Sequence, residues 1–401
     1  MKIAIVHYWL VSMRGGEKVL EELCRLYPTA DIFTLVLDRD AISPFLASRT
    51  IHTSFLQRIP GARKHYQKLL PLMPFALEHL DLSAYDLVIS SESGPAKGVI
   101  TRPDAVHVCY CHSPMRYVWD HYHVYRRDLP WSAQLLLMLF APPLRAWDCS
   151  TSARVDAFVA NSHHVARRIK RYYNREADVI HPPVAIDDFA IEDGSKDFYL
   201  CAGQLVTYKR IDIAVRAFTK TNRRLVVIGE GAQLEKLKQI AGPTITFLGH
   251  QPFPVLREHM ARCRALVFPG EEDFGIVPLE VMASGRPVIA FDAGGARETV
   301  PPNRGFRFAE QTVESLLDAV ERFEAVENEI DSVALRQHAS GFAPDVFRER
   351  MRNFVEARIA ASLATGAPAA GETVRSWNRP ANEDHPPVAF ARLGDMESKG
   401  F

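Results

Sequence analysis

Short, unbroken apolar runs alternate along the chain with mixed segments in which apolar residues recur every three or four positions. In the first half the runs are Ile3 to Val6, Ile32 to Leu37, Leu87 to Ser90, Val106 to Tyr110 and Ala157 to Ala160. In the second they are Phe198 to Ala202, Leu225 to Ile228, Ile245 to Leu248, Ala265 to Phe268 and Pro287 to Phe291. Runs of this length suit strands buried on both faces, and the mixed segments suit covering helices. The alternation predicts an α/β fold with two doubly wound parallel sheets. The stretch HPPVAIDDFAIEDGSKD, residues 181 to 197, breaks the periodicity with Pro182, Pro183, Gly194 and five acids. It divides the chain into an N-terminal domain at 1–183, a linker at 184–197 and a C-terminal domain at 198–344. Val346, Phe347, Met351, Phe354, Val355 and Ile359 predict an amphipathic helix over 345–364 that packs back on the first domain. Residues 365–401, rich in Ala, Gly and Pro, read as a poorly ordered tail. Two such domains facing each other place the carboxyl ends of their strands on one crevice, so chemistry is sought in the turns after strands.

Composition changes this picture little. The 401 residues are 47% hydrophobic and 24% charged, and 48 basic residues balance 48 acidic ones. Bulk charge therefore names no partner. Six cysteines, scattered apart from Cys109 and Cys111, form neither a disulfide framework nor zinc knuckles, which points to a reducing cytoplasm. Cys109 and Cys111 alternate on a strand as packing residues. The N-terminal MKIAIVHYWL reads as a first strand rather than a signal peptide. The longest apolar segment, AQLLLMLFAPPL, is broken by two prolines and is too short to span a membrane.

Charge is uneven locally. Residues 49–68 carry five Lys or Arg and no acid, interleaved with Phe55, Leu56, Ile59, Tyr66, Leu69 and Leu70. Either this is ordinary exposed surface, or Arg58, Arg63, Lys64 and Lys68 dock on anionic lipid headgroups, with Arg116 a further cation for acceptor or membrane. Zero net charge and the lack of a nucleic-acid motif argue against nucleic acid. Arg167, Arg168, Lys170, Arg171 and Arg175 read as a solvated helix face, as do the eight acids of 310–331.

The stretch GEEDFGIVPLEVMASGRPV, residues 270–288, carries the most chemistry. A strand ending at Phe268 leads through a turn into a helix from about Ile276, whose first amides are unpaired and whose dipole end is positive. Glu272 and Glu280 then border one crevice, and a carboxylate accepts both donors of a vicinal diol. The alternative is that Glu271 to Asp273 complement the helix dipole while Glu280 lies on a solvated face. In MRGGEK, Gly15 and Gly16 either let a phosphate approach a helix start or make a simple turn. CYCHSPMRYVWD sets His112 at the carboxyl end of a strand. CAGQLVTYKRIDIAVRAF sets Lys209 and Arg210 at the end of a loop, where cations could neutralise a diphosphate leaving group. For Arg210 a capping or surface role is the alternative.

The run EEDFGIVPLEVMASGRPVIAFDAGGARETV resembles the glutamate-x7-glutamate signature of retaining GT-B glycosyltransferases of family 4, and the motifs above match the same family over roughly residues 1–360. The resemblance implies two Rossmann-like domains with a nucleotide-sugar donor in the cleft. It assigns Glu280 to the ribose hydroxyls and Glu272 to the sugar, aided by the amides of Phe274, Gly275 and Ile276. It places His112 beside the transferred sugar, Lys209 at the diphosphate, and Gly249, His250 and Gln251 near the base. Gln204 stands where the family usually has an arginine, which removes one charge and leaves Lys209. CHSPMRYVWD, YKRIDIAV and EEDFGIVPLE are similar to bacterial mannosyltransferases of exopolysaccharide and O-antigen synthesis. That implies GDP-mannose as donor, with a UDP-hexose as the alternative, and a polyprenyl-diphosphate-linked glycan acceptor at the inner face of the cytoplasmic membrane. Neither a metal nor a separate cofactor is implied. A nucleotide-sugar-binding protein without turnover is the reading of another class. The absence of G-x-G-x-x-G after the first strand argues against a nicotinamide dehydrogenase.

Overall fold

The computed structural model describes residues 1–192 and 197–366. Residues 193–196 of the expected linker and 367–401 of the expected tail lie outside the described residues.

The first sheet contains β1 (Ile3–His7), β2 (Asp31–Thr34), β3 (Ile51–Thr53), β4 (Leu87–Glu92), β5 (Val106–Cys111), β6 (Ala157–Ala160) and β7 (Ala177–Val179), in the order β3-β2-β1-β4-β5-β6-β7. The second contains β8 (Tyr199–Ala202), β9 (Leu225–Ile228), β10 (Ile245–Gly249), β11 (Leu266–Phe268), β12 (Val288–Phe291) and β13 (Phe306–Phe308), in the order β10-β9-β8-β11-β12-β13. All pairings are parallel. Successive strand residues feed opposite faces, as the two-residue period requires. Ile3 and Ile5 enter one apolar cluster while Ala4 and Val6 enter another, and Leu200 and Tyr199 divide likewise. In each sheet the chain order reverses between two central neighbours, β1 and β4 in the first and β8 and β11 in the second. Helices diverge to opposite faces there and leave a crevice at the strands' carboxyl ends.

The periodicity misses β3, β7 and β13. Each has three residues, lies at or next to a sheet edge and is only half-buried, so it carries no continuous apolar run. Strand β2 ends at Thr34 rather than Leu37, and Leu37 instead makes an isolated bridge with Leu10.

The stretch read as a linker is also more ordered than its composition suggests. Val184, Ile186 and Phe189 are buried with Met282 and Leu335 in the second domain's core. Asp187 and Asp188 form the intervening turn. The helix Pro344–Gly366 returns to the first domain, where Phe347, Met351 and Val355 pack with Ile5, Leu20 and Tyr110. Arg348 pairs there with Glu22. The two crossings between domains lie side by side, joined by a 2.8 Å hydrogen bond from Val184 N–H to Phe342 O.

Candidate active site

Strand β11 ends at Phe268, and the turn Pro269–Gly275 leads into the helix Ile276–Ala283. Gly270 lets the loop after β8 press against this turn, since a Cβ there would stand 2.7 Å from Lys209 Cα. That approach sets Lys209 Nζ 2.8 Å from Glu272 Oε1. Burial disfavours charge on Lys209, and the Glu272 carboxylate more than offsets it, so the ammonium is held above lysine's ordinary pKa. Glu280, the fifth residue of the helix, is buried with Oε1 3.2 Å from Lys18 Nζ of the first domain. The helix Gly15–Leu26 begins against this turn: a Cβ on Gly15 would lie 2.8 Å from Ile276 Cδ1.

Across the crevice, His112 follows β5 and extends a chain of polar side chains into the first sheet. Its Nε2 lies 2.9 Å from Ser91 Oγ, which lies 3.0 Å from His7 Nδ1. His7 Nε2 is 3.7 Å from Glu17 Oε1, and His7, Ser91 and Glu17 are buried. Burial, reinforced by His7, pushes the His112 imidazole down to about 3, so it is neutral at physiological pH. The Ser91 hydroxyl can donate to one histidine while accepting from the other, which couples their tautomers.

His112, Gly15, Gly16, Glu272, Gly275 and Ile276 border a cavity of about 300 Å³. A larger one of about 700 Å³ adjoins it, with Tyr8, Arg116 and Tyr208 bordering both. The larger is lined by aromatic and polar groups, including Trp9, Tyr66, Tyr117, Tyr125 and Gln204. Aromatic faces beside hydroxyls suit a sugar or another amphipathic ligand.

Asp273 and Arg168 depart from the reading above. Arg168 is no solvated cation: it is 7% exposed, and its guanidinium lies 2.5 Å from Asp273 Oδ1 and 2.6 Å from Asp120 Oδ1. Arg116, read as an acceptor or membrane cation, lies 2.6 Å from the same Asp273 oxygen while bordering both cavities. Ser162 Oγ donates to Asp273 O at 2.6 Å. Burial alone would raise the Asp273 pKa; the two guanidiniums overcome it and hold the carboxyl below the usual aspartate range. Asp273 thus ties the domains together rather than only complementing a helix dipole. Glu298 makes a second tie, accepting from His163 N–H at 3.0 Å and His164 N–H at 3.2 Å at the start of the helix His163–Tyr173.

Arg210, Gly249, His250 and the cations of residues 49–68 lie outside the two crevice cavities. Arg210 is turned onto Asp212, with Nε 3.0 Å from Oδ1, and borders a separate cavity of about 370 Å³ rather than the two in the crevice. Its guanidinium is thus held by Asp212 outside the crevice cavities. Gly249 and His250 lie at and just beyond the end of β10 and border neither crevice cavity; Gly249 O accepts from Gly229 N–H, and His250 is exposed. Arg58, Lys64 and Lys68 are exposed, and Arg63 stands 3.7 Å from Asp38.

Several residues escaped the sequence reading. Signals existed for two: Arg168 shares its helix face with buried Val165 and Ile169, and His7 is a polar residue in an apolar strand. Behind the cleft, buried Asp148 accepts from Lys97, from Trp119 Nε1 at 2.7 Å and from Tyr173 OH at 2.9 Å. Glu92 lies 3.8 Å from Lys97 Nζ, and burial pushes its carboxyl up to about 8. Among the described residues no cluster of three or more His, Cys, Asp or Glu could hold a metal ion. Cys109 and Cys111 pack with Phe158, Val165 and Ile169.

Comparison with known proteins gives a consistent result. The family profile "Glycosyltransferase Family 4" matches residues 13–188, and "Glycosyl transferases group 1" matches residues 186–339. The GDP-mannose-dependent alpha-(1-6)-phosphatidylinositol monomannoside mannosyltransferase of Mycobacterium tuberculosis is 34% identical over 146 residues, 32% of this chain and 38% of the relative. The O-antigen chain mannosyltransferase RfbU of Salmonella typhimurium is 27% identical over 183 residues, 40% of this chain and 52% of the relative. The chain thus spans about half or less of the length of these curated relatives. Among solved structures, Anabaena Alr3699/HepE in complex with UDP-glucose aligns with a TM-score of 0.63 at 16% identity, covering 91% of this chain and 100% of that one. Sucrose-phosphate synthase from Thermosynechococcus elongatus aligns with a TM-score of 0.68 at 17% identity, covering 90% and 100%. These alignments show the GT-B fold. With two adjoining profiles matched from residue 13 to residue 339 on two facing parallel-sheet domains, the chain belongs to the group 1, family 4 glycosyltransferases.

Proposed function

We propose that the protein transfers a hexose, mannose from GDP-mannose, to a hydroxyl of a lipid-linked glycan during cell-surface polysaccharide synthesis, with retention at the anomeric carbon. The observation that carries this reading is the Lys209–Glu272 pair at the switch point of the second sheet, in a crevice that His112 borders from the first domain. In the proposed complex the ribose hydroxyls displace Lys18 from Glu280, and Glu272 accepts from hydroxyls of the sugar. Lys209 and the amides at the Gly15 helix start stabilise charge on the departing diphosphate. The leaving phosphate oxygen draws the proton from the acceptor hydroxyl, so no protein nucleophile is required. Neutral His112 serves as a hydrogen-bonding wall beside the sugar. The larger aromatic cavity receives the acceptor, and the reaction takes place at the inner face of the cytoplasmic membrane.

The donor assignment is supported by GDP-mannose dependence in the printed name of the mycobacterial relative. A UDP-hexose is the second reading, favoured by the UDP-glucose complex of a protein with the same fold. Thermal stabilisation by a panel of nucleotide sugars separates the two. The largest rise in melting temperature is expected with GDP-mannose, together with mannose transfer to a lipid-linked acceptor. A larger rise with UDP-glucose would move the assignment to the second reading, and stabilisation without product would indicate a binding protein. Glu280→Ala should remove the donor-induced rise; an undiminished rise would sink the ribose role.

A further inference from the structure

We propose that the exposed face of the helix Trp131–Thr151 is a docking surface for an anionic lipid headgroup layer, placed so that the larger cavity opens toward a membrane-anchored acceptor. Residues 129–144, LPWSAQLLLMLFAPPL, contain no charged side chain. Trp131, Leu135 and Leu139 are 79%, 61% and 67% exposed, and their four-residue spacing makes one stripe. The opposite face is occupied, with Ala141 and Leu144 packed against Met115 and Val118. The stripe is therefore surplus to the domain's own core, and a contiguous exposed apolar patch marks an interaction site.

Neighbouring segments enlarge the patch. Leu70 joins Leu137 and Phe140 in the cluster beneath the helix, and the segment that carries Leu70 continues to exposed Leu72 and Phe75. Cations lie beside it: Arg126 Nη1 lies 3.6 Å from Met138 Sδ, Arg127 next to it is exposed, and exposed Lys68 stands two residues before Leu70. Apolar groups ringed by Lys and Arg complement a negatively charged headgroup layer, with a tryptophan suited to the interface. A second copy of the chain fits less well, because a two-fold contact would bring the same cations together. The helix lies on the layer rather than through it: no described helix is long and apolar enough to cross a membrane, and this one contains Pro142 and Pro143. Tyr125, Leu129, Leu137 and Leu70 border the 700 Å³ cavity, so its rim joins the apolar surface. The docking surface thus centres on residues 131–139, with Arg126 beside Met138 and Lys68 two residues before Leu70 at its margin.

The purpose given to this surface rests on the proposed lipid-linked acceptor, but its test does not require turnover. Full-length protein is sedimented with phosphatidylcholine vesicles with and without phosphatidylglycerol. Binding is expected with phosphatidylglycerol and should weaken with salt. The double variant Leu135→Ser, Leu139→Ser should lower the partition coefficient by about tenfold or more while the melting temperature and donor-induced stabilisation stay as in wild type. Arg127→Glu with Lys68→Glu, which touches no apolar packing, should lower binding several-fold. Equal vesicle binding by both double variants would overturn the proposal. So would a wild-type dimer that the Leu135→Ser, Leu139→Ser substitutions dissociate, with no vesicle binding. Vesicle binding that persists when the donor panel fails would leave the docking surface standing and remove only the function assigned to the cleft.

Discussion

Glu272 and Asp273 are consecutive in the chain, both reach the crevice between the domains, and both carboxylates meet cations there, yet the cations come from different places. The partner of Glu272 is Lys209, from its own domain, so the pair survives if the domains separate. The partners of Asp273 are Arg116 and Arg168, both from the opposite domain, so its interactions exist only while the domains are together. In the proposed reaction the first carboxylate belongs to the donor site, whereas the second holds the two domains against each other. Which domain supplies the partner therefore separates a carboxylate set within one domain from a tie between domains where residue type and position in the chain cannot.

The sharpest way to break this comparison is at Lys209. Lys209→Ala should cut kcat by about a hundredfold to a thousandfold, the range seen when one preorganised charge-stabilising donor is lost. KM for the donor should change far less, and steady-state kinetics over donor concentration checks the split. An unaltered kcat would refute the leaving-group role.

At Asp273 the expected effect is on stability. Asp273→Asn leaves the buried Arg168 and the partly buried Arg116 guanidiniums without their shared carboxylate and should cost about 3 kcal/mol in a denaturant titration. Because its pKa is depressed in the folded state, Asp273 contributes its stability above aspartate's ordinary value and loses it as pH falls through the depressed one. The asparagine variant should lack that part of the acid sensitivity. Wild-type stability in the variant would mean that closure is held elsewhere.

The smallest effect is expected at Ser91, which touches His112 but borders neither crevice cavity. Ser91→Ala should lower kcat by about tenfold or less, with donor KM nearly unchanged and Ser91→Thr restoring much of the rate. It should also move the pH at which His112 takes up a proton, which NMR titration of the imidazole can follow. An unmoved titration together with an unmoved rate would make the His7–Ser91–His112 chain a packing feature alone.

The centres of both sheets were legible because a strand buried on two faces must be apolar along its length, as Ile3 to Val6 and Leu225 to Ile228 are. The short outer strands were not, because three half-buried residues such as Ala177–Val179 satisfy their pairing with almost any side chain. At the site, a strand-end turn and the spacing of Glu272 and Glu280 were visible along one segment. The ties were not, because Arg168 and Asp273 lie 105 residues apart and nothing local records their meeting. One clue was overlooked: Arg168 falls three residues after Val165 and one before Ile169, inside an apolar stripe where a free cation would be costly.

The paired crossings at Val184 and Phe342 restrict how this molecule can move. Two covalent connections that pass between the domains side by side, stitched by a backbone hydrogen bond, are arranged like a door hung on two adjacent pins. Sliding and twisting of one domain on the other would shear that stitch, whereas swinging about the line through the pins leaves it intact. In the proposed complex a donor reaching from Glu280 to His112 would chiefly oppose that swing, and each contact far from the axis would gain leverage in proportion to its distance.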